Sequence, residues 1–202
     1  LRSVGGASLQ FPPQVVPCAP GKLILMNHQS VIDILLVVKS VAYGYPRIVT
    51  RARYGRFIPL ISHLVRLYQY PTVDPTANPR EVLKMARAMA REARDSDVPI
   101  AIFPEGTRTK DGEIGSFRKR GLAKVLKGRS WTVYVFVVDG YWEKSHVKDF
   151  LADLSALDGR VEHAATLEWT DPGADPGPFI TKVRDIMSER LAEMRSSNTS
   201  AP

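Results

Sequence analysis

Gly21-Lys22-Leu23-Ile24-Leu25-Met26-Asn27-His28-Gln29-Ser30-Val31-Ile32-Asp33 is the stretch on which the reading of this chain turns. Gly21–Met26 reads as a short strand buried on both faces. The polar residues after it mark a corner, and a second apolar run follows. His28 and Asp33 stand five positions apart across that corner. A base beside a carboxylate, at a strand-to-helix turn, is what activation of a hydroxyl requires. On one continuous helix, five residues rotate the chain by about 500° and leave the two side chains ~140° apart. With His28 in the turn and Asp33 in the first helical turn, the chain folds back and contact becomes feasible. Asp33 then fixes the imidazole tautomer and leaves the other nitrogen as base. A competing use exists. Ser30-Val31-Ile32-Asp33 has the shape of a capping box, with Ser30 as N-cap, Asp in place of the usual Glu or Gln, and a helix to about Lys39. The pattern alone leaves both uses open.

A second corner of the same kind is Phe103-Pro104-Glu105-Gly106-Thr107-Arg108, after an apolar strand at Val98–Phe103. Gly106 permits a tight backbone path, and Arg108 offers a planar fork suited to phosphate. Glu105 can orient an arginine or accept from a substrate hydroxyl. Ligands in α/β sheets bind beyond the carboxyl ends of the strands. If the two strands are parallel neighbours, both corners open on one crevice.

The rest of the chain alternates in the same way. Residues 1–20 carry four prolines and read as an irregular arm. Strands are expected at Arg47–Thr50, Tyr68–Val73, Thr132–Val138 and Val161–Leu167, with short helix and loop at Gly55–Leu67. The clearest helix is Pro79–Arg94, capped by Asn78, with Val82, Met85, Ala86, Met89, Ala90 and Ala93 on one stripe. Further helices are expected at Phe117–Lys127, Phe150–Leu157 and Phe179–Met194, with a loop at Asp171–Pro178. Together these predict an α/β fold: a single domain over 21–195, a mainly parallel mixed sheet flanked by helices, and a disordered tail at 196–202.

Bulk properties narrow the partners. The 202 residues carry a net charge of +7 with a pI near 9.6, which points to an anionic partner. Between Ile34 and Val73 there is no Asp or Glu, yet six Lys and Arg occur: Lys39, Arg47, Arg51, Arg53, Arg56 and Arg66. Arg118-Lys119-Arg120 with Lys124 and Lys127 forms a second basic cluster. Cys18 is the single cysteine, so no intrachain disulfide forms and a reducing compartment fits. No run approaches the ~18 apolar residues of a membrane span. The chain opens on Leu1 rather than Met, which leaves room for a membrane anchor upstream.

The motifs together resemble those of the glycerolipid acyltransferase superfamily, which includes the bacterial 1-acylglycerol-3-phosphate acyltransferases. Asn27, His28, Ser30 and Asp33 match its Asn-His-x-Ser-x-x-Asp signature, and residues 103–108 match its Phe-Pro-Glu-Gly-Thr-Arg signature in full. Arg53, Pro59 and Asp74 look like remnants of a signature between them, with Pro75 where an arginine is usual. Phe117-Arg118-Lys119-Arg120-Gly121 looks like the family's Phe-basic-basic-Gly with one extra residue. The fourth signature, which usually has prolines, is here the apolar run Val133–Val138. The resemblance implies acyl transfer from a thioester, on coenzyme A or acyl carrier protein, to a lysolipid hydroxyl. It implies His28 as general base and Asp33 as its orienting partner. Glu105, Gly106, Thr107 and Arg108 would hold the acceptor's phosphate end, with Arg53 helping. It implies no metal and no cofactor beyond the acyl donor. A lysophosphatidate acceptor is the first expectation; another lysolipid or an amino-acid-containing lipid is the alternative. The basic surface fits peripheral docking at the cytoplasmic face of a membrane, while the Arg118–Lys124 helix also suits an acidic carrier protein or coenzyme A phosphates.

Two rival classes follow from the same residues. A catalytically inactive basic module binding a membrane or nucleic acid explains the charge but not the paired corners, and no nucleic-acid motif is present. A metal-dependent hydrolase using His28 and Asp33 lacks ligand spacing among His63, His146 and His163.

Overall fold

A computed structural model describes residues 2–4, 7–51, 72–73, 78–142 and 158–199. The elements in chain order are β1 (Arg2–Val4), β2 (Ala7–Leu9), β3 (Val16–Pro17), β4 (Lys22–Met26), α1 (Asp33–Lys39), β5 (Val41–Ala42), β6 (Arg47–Ile48), β7 (Thr50–Arg51), β8 (Thr72–Val73), α2 (Pro79–Asp95), β9 (Ile100–Ile102), α3 (Lys119–Leu126), β10 (Trp131–Asp139), β11 (Asp158–Trp169) and α4 (Pro176–Thr199). Seven strands form the main sheet in the order β1-β2-β11-β10-β4-β9-β6. The centre is parallel: β10 pairs with β4, β4 with β9, and β9 with β6. Antiparallel pairing enters at β10–β11 and at the β1–β2 pair, which makes the sheet mixed. Two short parallel pairs, β3–β5 and β7–β8, stand apart from it.

The centre is parallel because its strands bury both faces. Leu23 and Leu25 of β4 join Ile100 and Ile102 of β9 and Val133, Val135 and Val137 of β10 on one side. There they meet Met89 and Ala93 of α2, Leu122 and Val125 of α3, and Val183, Met187 and Leu191 of α4. Ile24, Met26, Ala101, Tyr134, Phe136 and Val138 point the other way, onto Leu36 and Val37 of α1. The alternation with period two therefore sorts one apolar run into two core layers.

Two tryptophans tie the layer of three helices to the sheet. Trp131 donates its indole N–H to the Val125 carbonyl at 3.0 Å, and Trp169 donates to the Leu126 carbonyl at 2.8 Å. These are carbonyls in the last turn of α3, where a helix runs out of its regular N–H donors; Val125 also accepts from the Gly128 N–H at 3.0 Å.

Several expectations need correction. Within the arm expected to be irregular over 1–20, the described residues form three short strands: β1 and β2 extend the sheet through β11, and β3 pairs with β5. The last strand runs over Asp158–Trp169 because antiparallel pairing with β10 spans Arg160 to Trp169 and parallel pairing with β2 adds Asp158 and Gly159. The last helix begins at Pro176, inside the expected loop, and reaches Thr199, so 196–199 are helical where a disordered tail was expected. Helix α1 starts at Asp33 with Ile32 as its N-cap, three residues after Ser30. Val82 of α2 is exposed rather than part of the buried stripe. The helix expected at Phe150–Leu157, the segment Gly55–Leu67, most of the strand at Tyr68–Val73, and residues Arg53, Pro59, Asp74 and Pro75 lie outside the described residues.

Replacing Trp169 with Phe keeps an aromatic ring but leaves the buried Leu126 carbonyl without its indole donor. The variant should lose about 1–3 kcal/mol of stability in urea unfolding. An unchanged midpoint would show that the indole bond contributes nothing to holding α3.

Candidate active site

The two corners meet. Strands β4 and β9 are hydrogen-bonded parallel neighbours, with Leu25 opposite Ile102, so the chain leaves both at the same end of the sheet. The His28 main chain is held from two sides by the second corner. Its N–H donates to Glu105 Oε2 at 3.0 Å, and its carbonyl accepts from the Thr109 N–H at 2.8 Å.

Asp33 resolves the two uses open to it by serving both with one oxygen. Its Oδ2 accepts from His28 Nδ1 at 2.8 Å, from the Gln29 N–H at 2.6 Å and from the Ser30 N–H at 2.8 Å. The bond from Ser30 is the return half of the expected capping box, without Ser30 becoming the N-cap. Asp33 is fully buried at the start of α1, and its Oδ1 has no hydrogen-bond partner. A carboxylate only accepts, so the proton of a neutral His28 belongs on Nδ1, and Nε2 keeps its lone pair. The imidazole is 17% exposed and stacks on the Phe103 ring at 4.2 Å between centroids, tilted by 19°. It is oriented on one nitrogen, packed on one face, and partly open to solvent.

The residues on either side of His28 point inward and clamp the loop. Asn27 exchanges two hydrogen bonds with the Val138 main chain at the end of β10, donating at 2.8 Å and accepting at 2.7 Å. Gln29 accepts from the Tyr141 N–H at 3.0 Å and donates to the Gly112 carbonyl at 3.3 Å and to Asp139 Oδ1 at 3.4 Å. Arg195 of α4 completes this lattice. Its guanidinium reaches Asp139 Oδ1 at 3.2 Å, the Gly112 carbonyl at 3.0 Å and Glu113 Oε1 at 2.5 Å. Gly112 has φ +82°, a region unfavourable to side chains, and a Cβ there would stand 2.9 Å from the Trp142 ring. None of these roles follows from a local pattern. Asn27 belongs to a motif, but its partner lies 111 positions away, and Arg195 lies 56 positions from Asp139.

Glu105 is 4% exposed, and its two oxygens accept from main-chain amides, His28 on one and Gly115 on the other, each at 3.0 Å. Its geometric part is to hold two loops together. Burial pushes its carboxyl up to about 7, aided by the charges of Asp33 and Asp111 and opposed by the two amide donors. Gly106 turns the chain at φ +68°, its N–H bonded to the Phe103 carbonyl at 3.0 Å. Thr107, Arg108 and Thr109 then line a cavity of about 300 Å³ together with Glu105, Ser116 and Arg118. Two guanidinium-bearing residues on one small cavity make it suited to an anion. A larger open groove of about 750 Å³ lies between α3 and α4, where Lys119 and Lys182 are offset by Asp175, Asp185 and Glu189. Arg53 lies outside the described residues. Among the described residues, no three His, Cys, Asp or Glu side chains gather as a metal site would need, and no helix is long and apolar enough to cross a membrane.

The Glu105 carboxyl gives a pH test. In the native state it holds its proton to a higher pH than in the unfolded chain, where a value near 4.5 applies. The native state therefore binds more protons between about 4.5 and 7, and this group's contribution to stability falls as pH rises through that window. Glu105→Gln removes the dependence. The stability of wild type relative to Glu105→Gln should be greater at pH 5 than at pH 8 in urea unfolding. An equal or reversed difference would contradict the burial argument.

Comparison with known proteins bears on the family and the fold. The model of the Acyltransferase family matches residues 12–138. A 1-acyl-sn-glycerol-3-phosphate acyltransferase of Cocos nucifera is 29% identical over 107 residues, covering 53% of this chain and 34% of that protein. The enzyme of the same name from Helicobacter pylori (strain J99) is 33% identical over 107 residues, covering 52% of this chain and 42% of that protein. The matches thus span between a third and a half of those relatives' length. The crystal structure of the 1-acyl-sn-glycerophosphate (LPA) acyltransferase PlsC from Thermotoga maritima superposes with a TM-score of 0.68 at 18% identity, over 92% of this chain and 71% of that one, which is a likeness of fold. With the family model spanning both corners and the sheet between them, the chain belongs to the Acyltransferase family, within the glycerolipid acyltransferase superfamily.

Proposed function

We propose that this chain is an O-acyltransferase that moves a fatty acyl group from a thioester, on coenzyme A or acyl carrier protein, to the hydroxyl of a lysophospholipid. The first acceptor to consider is 1-acylglycerol-3-phosphate, the substrate named for the curated relatives. The observation that carries the reading is the pairing of His28 Nδ1 with Asp33 Oδ2 at 2.8 Å, which leaves Nε2 as a base in a partly open corner.

In this reading Nε2 takes the acceptor hydroxyl's proton as the oxygen attacks the thioester carbonyl. Asp33 favours the imidazolium that forms. The tetrahedral intermediate collapses to the ester and expels the thiolate, which recovers the proton from His28 and leaves as a thiol. No acyl-enzyme is needed. The cavity with Thr107, Arg108 and Arg118 takes the acceptor's phosphate; Glu105 also lines it, and Gly106 turns the chain between Glu105 and Thr107 at φ +68°. Because the acceptor is a lipid, the reaction takes place at a membrane surface, and the acid-free basic stretch favours an anionic one.

The test is turnover of acyl-CoA and acyl carrier protein donors with a panel of lysolipids, read by mass spectrometry. His28→Ala should lower transfer by roughly 10²–10⁴-fold while thermal unfolding stays as in wild type. Arg108→Ala should mainly raise the KM for a phosphorylated acceptor. Wild-type turnover in the first variant would end the mechanism, and an unchanged acceptor KM in the second would move the anion site elsewhere.

A further inference from the structure

Five of the seven large apolar side chains exposed among the described residues fall between positions 11 and 45: Phe11, Val15, Leu35, Tyr43 and Tyr45. The fold gathers them. Leu35 and Lys39 stand one turn apart on α1, and the Lys39 ammonium lies 5.9 Å from the centre of the Phe11 ring. Next to Val15, the Val16 N–H bonds the Ser40 carbonyl at 3.1 Å as β3 pairs with β5. Tyr43 and Tyr45 sit on the turn directly after β5.

Tyr43 is the sharpest feature of this face. Its side chain is fully exposed, and its φ of +54° is the only positive value at a non-glycine among the described residues. Such a conformation is unfavourable for a bulky residue and is an observation that asks for a function. Here it holds an amphipathic ring out into solvent. The sequence that carries Leu35, Lys39 and Tyr43 is one-sided in charge as well: from Ile34 onward no Asp or Glu occurs until Val73 has passed. Exposed aromatic and aliphatic side chains around a lysine, on an acid-free stretch, are complementary to a bilayer with anionic headgroups.

We infer that Phe11, Val15, Leu35 and Tyr43, with Lys39 between them, form the face that docks this protein on an anionic lipid bilayer. The inference rests on the proposed lysolipid acceptor for its purpose. Helix α1 joins this face to the site: Asp33, which holds His28, opens the helix whose far end carries Lys39. Its seven residues span about 10 Å, so docking there brings the base within one short helix of the headgroups.

The test uses the whole chain and vesicles of phosphatidylcholine alone or with phosphatidylglycerol. Wild type should co-sediment preferentially with the anionic vesicles, less so as salt is raised. Leu35→Ser with Tyr43→Ser should weaken this by about tenfold or more. Lys39→Gln should weaken binding on the anionic vesicles alone. Tyr43→Trp, which preserves an aromatic ring, should bind as wild type, and its added indole fluorescence should be quenched by lipids brominated on their acyl chains. Transfer to an acceptor presented in vesicles should fall in the double variant, while transfer to a short-chain soluble acceptor should not. Equal vesicle binding by wild type and the double variant, or an added indole signal that brominated lipids leave unquenched in Tyr43→Trp, would overturn the docking face. So would a wild-type dimer that the double variant converts to monomer, because a second copy would then cover the patch. Vesicle binding that behaves as described in a protein that acylates no lysolipid would leave the face standing and refute the proposed activity instead.

Discussion

One carboxylate oxygen organises the site. Asp33 Oδ2 gathers an imidazole nitrogen and two main-chain amides within 2.6–2.8 Å, in full burial. Burying a carboxylate is costly unless charge-assisted hydrogen bonds offset the loss of water. Three donors on one oxygen provide that offset, and the same three bonds bend the chain from strand to helix. The turn and the orientation of His28 are thus a single event. A change at Asp33 acts on the backbone path and on the imidazole together.

The second corner repeats the device with a different outcome. Glu105 also takes main-chain amides, but one on each oxygen and from two separate loops. It joins the His28 loop to the loop at Gly115, where Asp33 ties a residue to its near neighbours. It has two amide partners, as Asp33 does, but no imidazole beside them, and burial holds its carboxyl near 7. Around both carboxylates, Asn27, Gln29 and Arg195 fasten the corner to β10 and α4. The imidazole is therefore held on rigid elements through a shell of polar contacts, the condition for placing a base with sub-ångström consistency.

Much of this was legible in the sequence, and the boundary of legibility is physical. The central strands announced themselves through runs such as Leu23–Met26 and Val133–Val138, because burial on both faces demands unbroken apolar residues. Helix α2 was marked by its Asn78 cap and Pro79, and the Asn78 side chain does accept from the Glu81 N–H at 3.0 Å. Alternation of strand and helix pointed to a mainly parallel sheet, while the adjacency of β4 and β9 entered only as a condition, which the strand pairing meets. What stayed hidden depends on distant partners. The strands of the N-terminal arm exist because β11 and β5 offer edges to pair with. The last turns of α4 continue past the apolar stripe, with Ser196 and Ser197 bonding back to the Glu193 and Met194 carbonyls. Arg195 carries no motif, yet it fastens the final helix to the loops of the site. The start of α1 shifted because Asp33 took the amides of Gln29 and Ser30 into its own hydrogen bonds.

The central claim is that Asp33 keeps the proton of His28 on Nδ1 and so leaves Nε2 as a base. The direct measurement is ¹⁵N NMR of the imidazole nitrogens in wild type and in Asp33→Asn, at a pH where His28 is neutral. The account predicts a protonated Nδ1 and a lone-pair Nε2 in wild type, with that preference weakened or inverted in the variant. A wild-type His28 with its proton on Nε2, or a tautomer indifferent to residue 33, would contradict it.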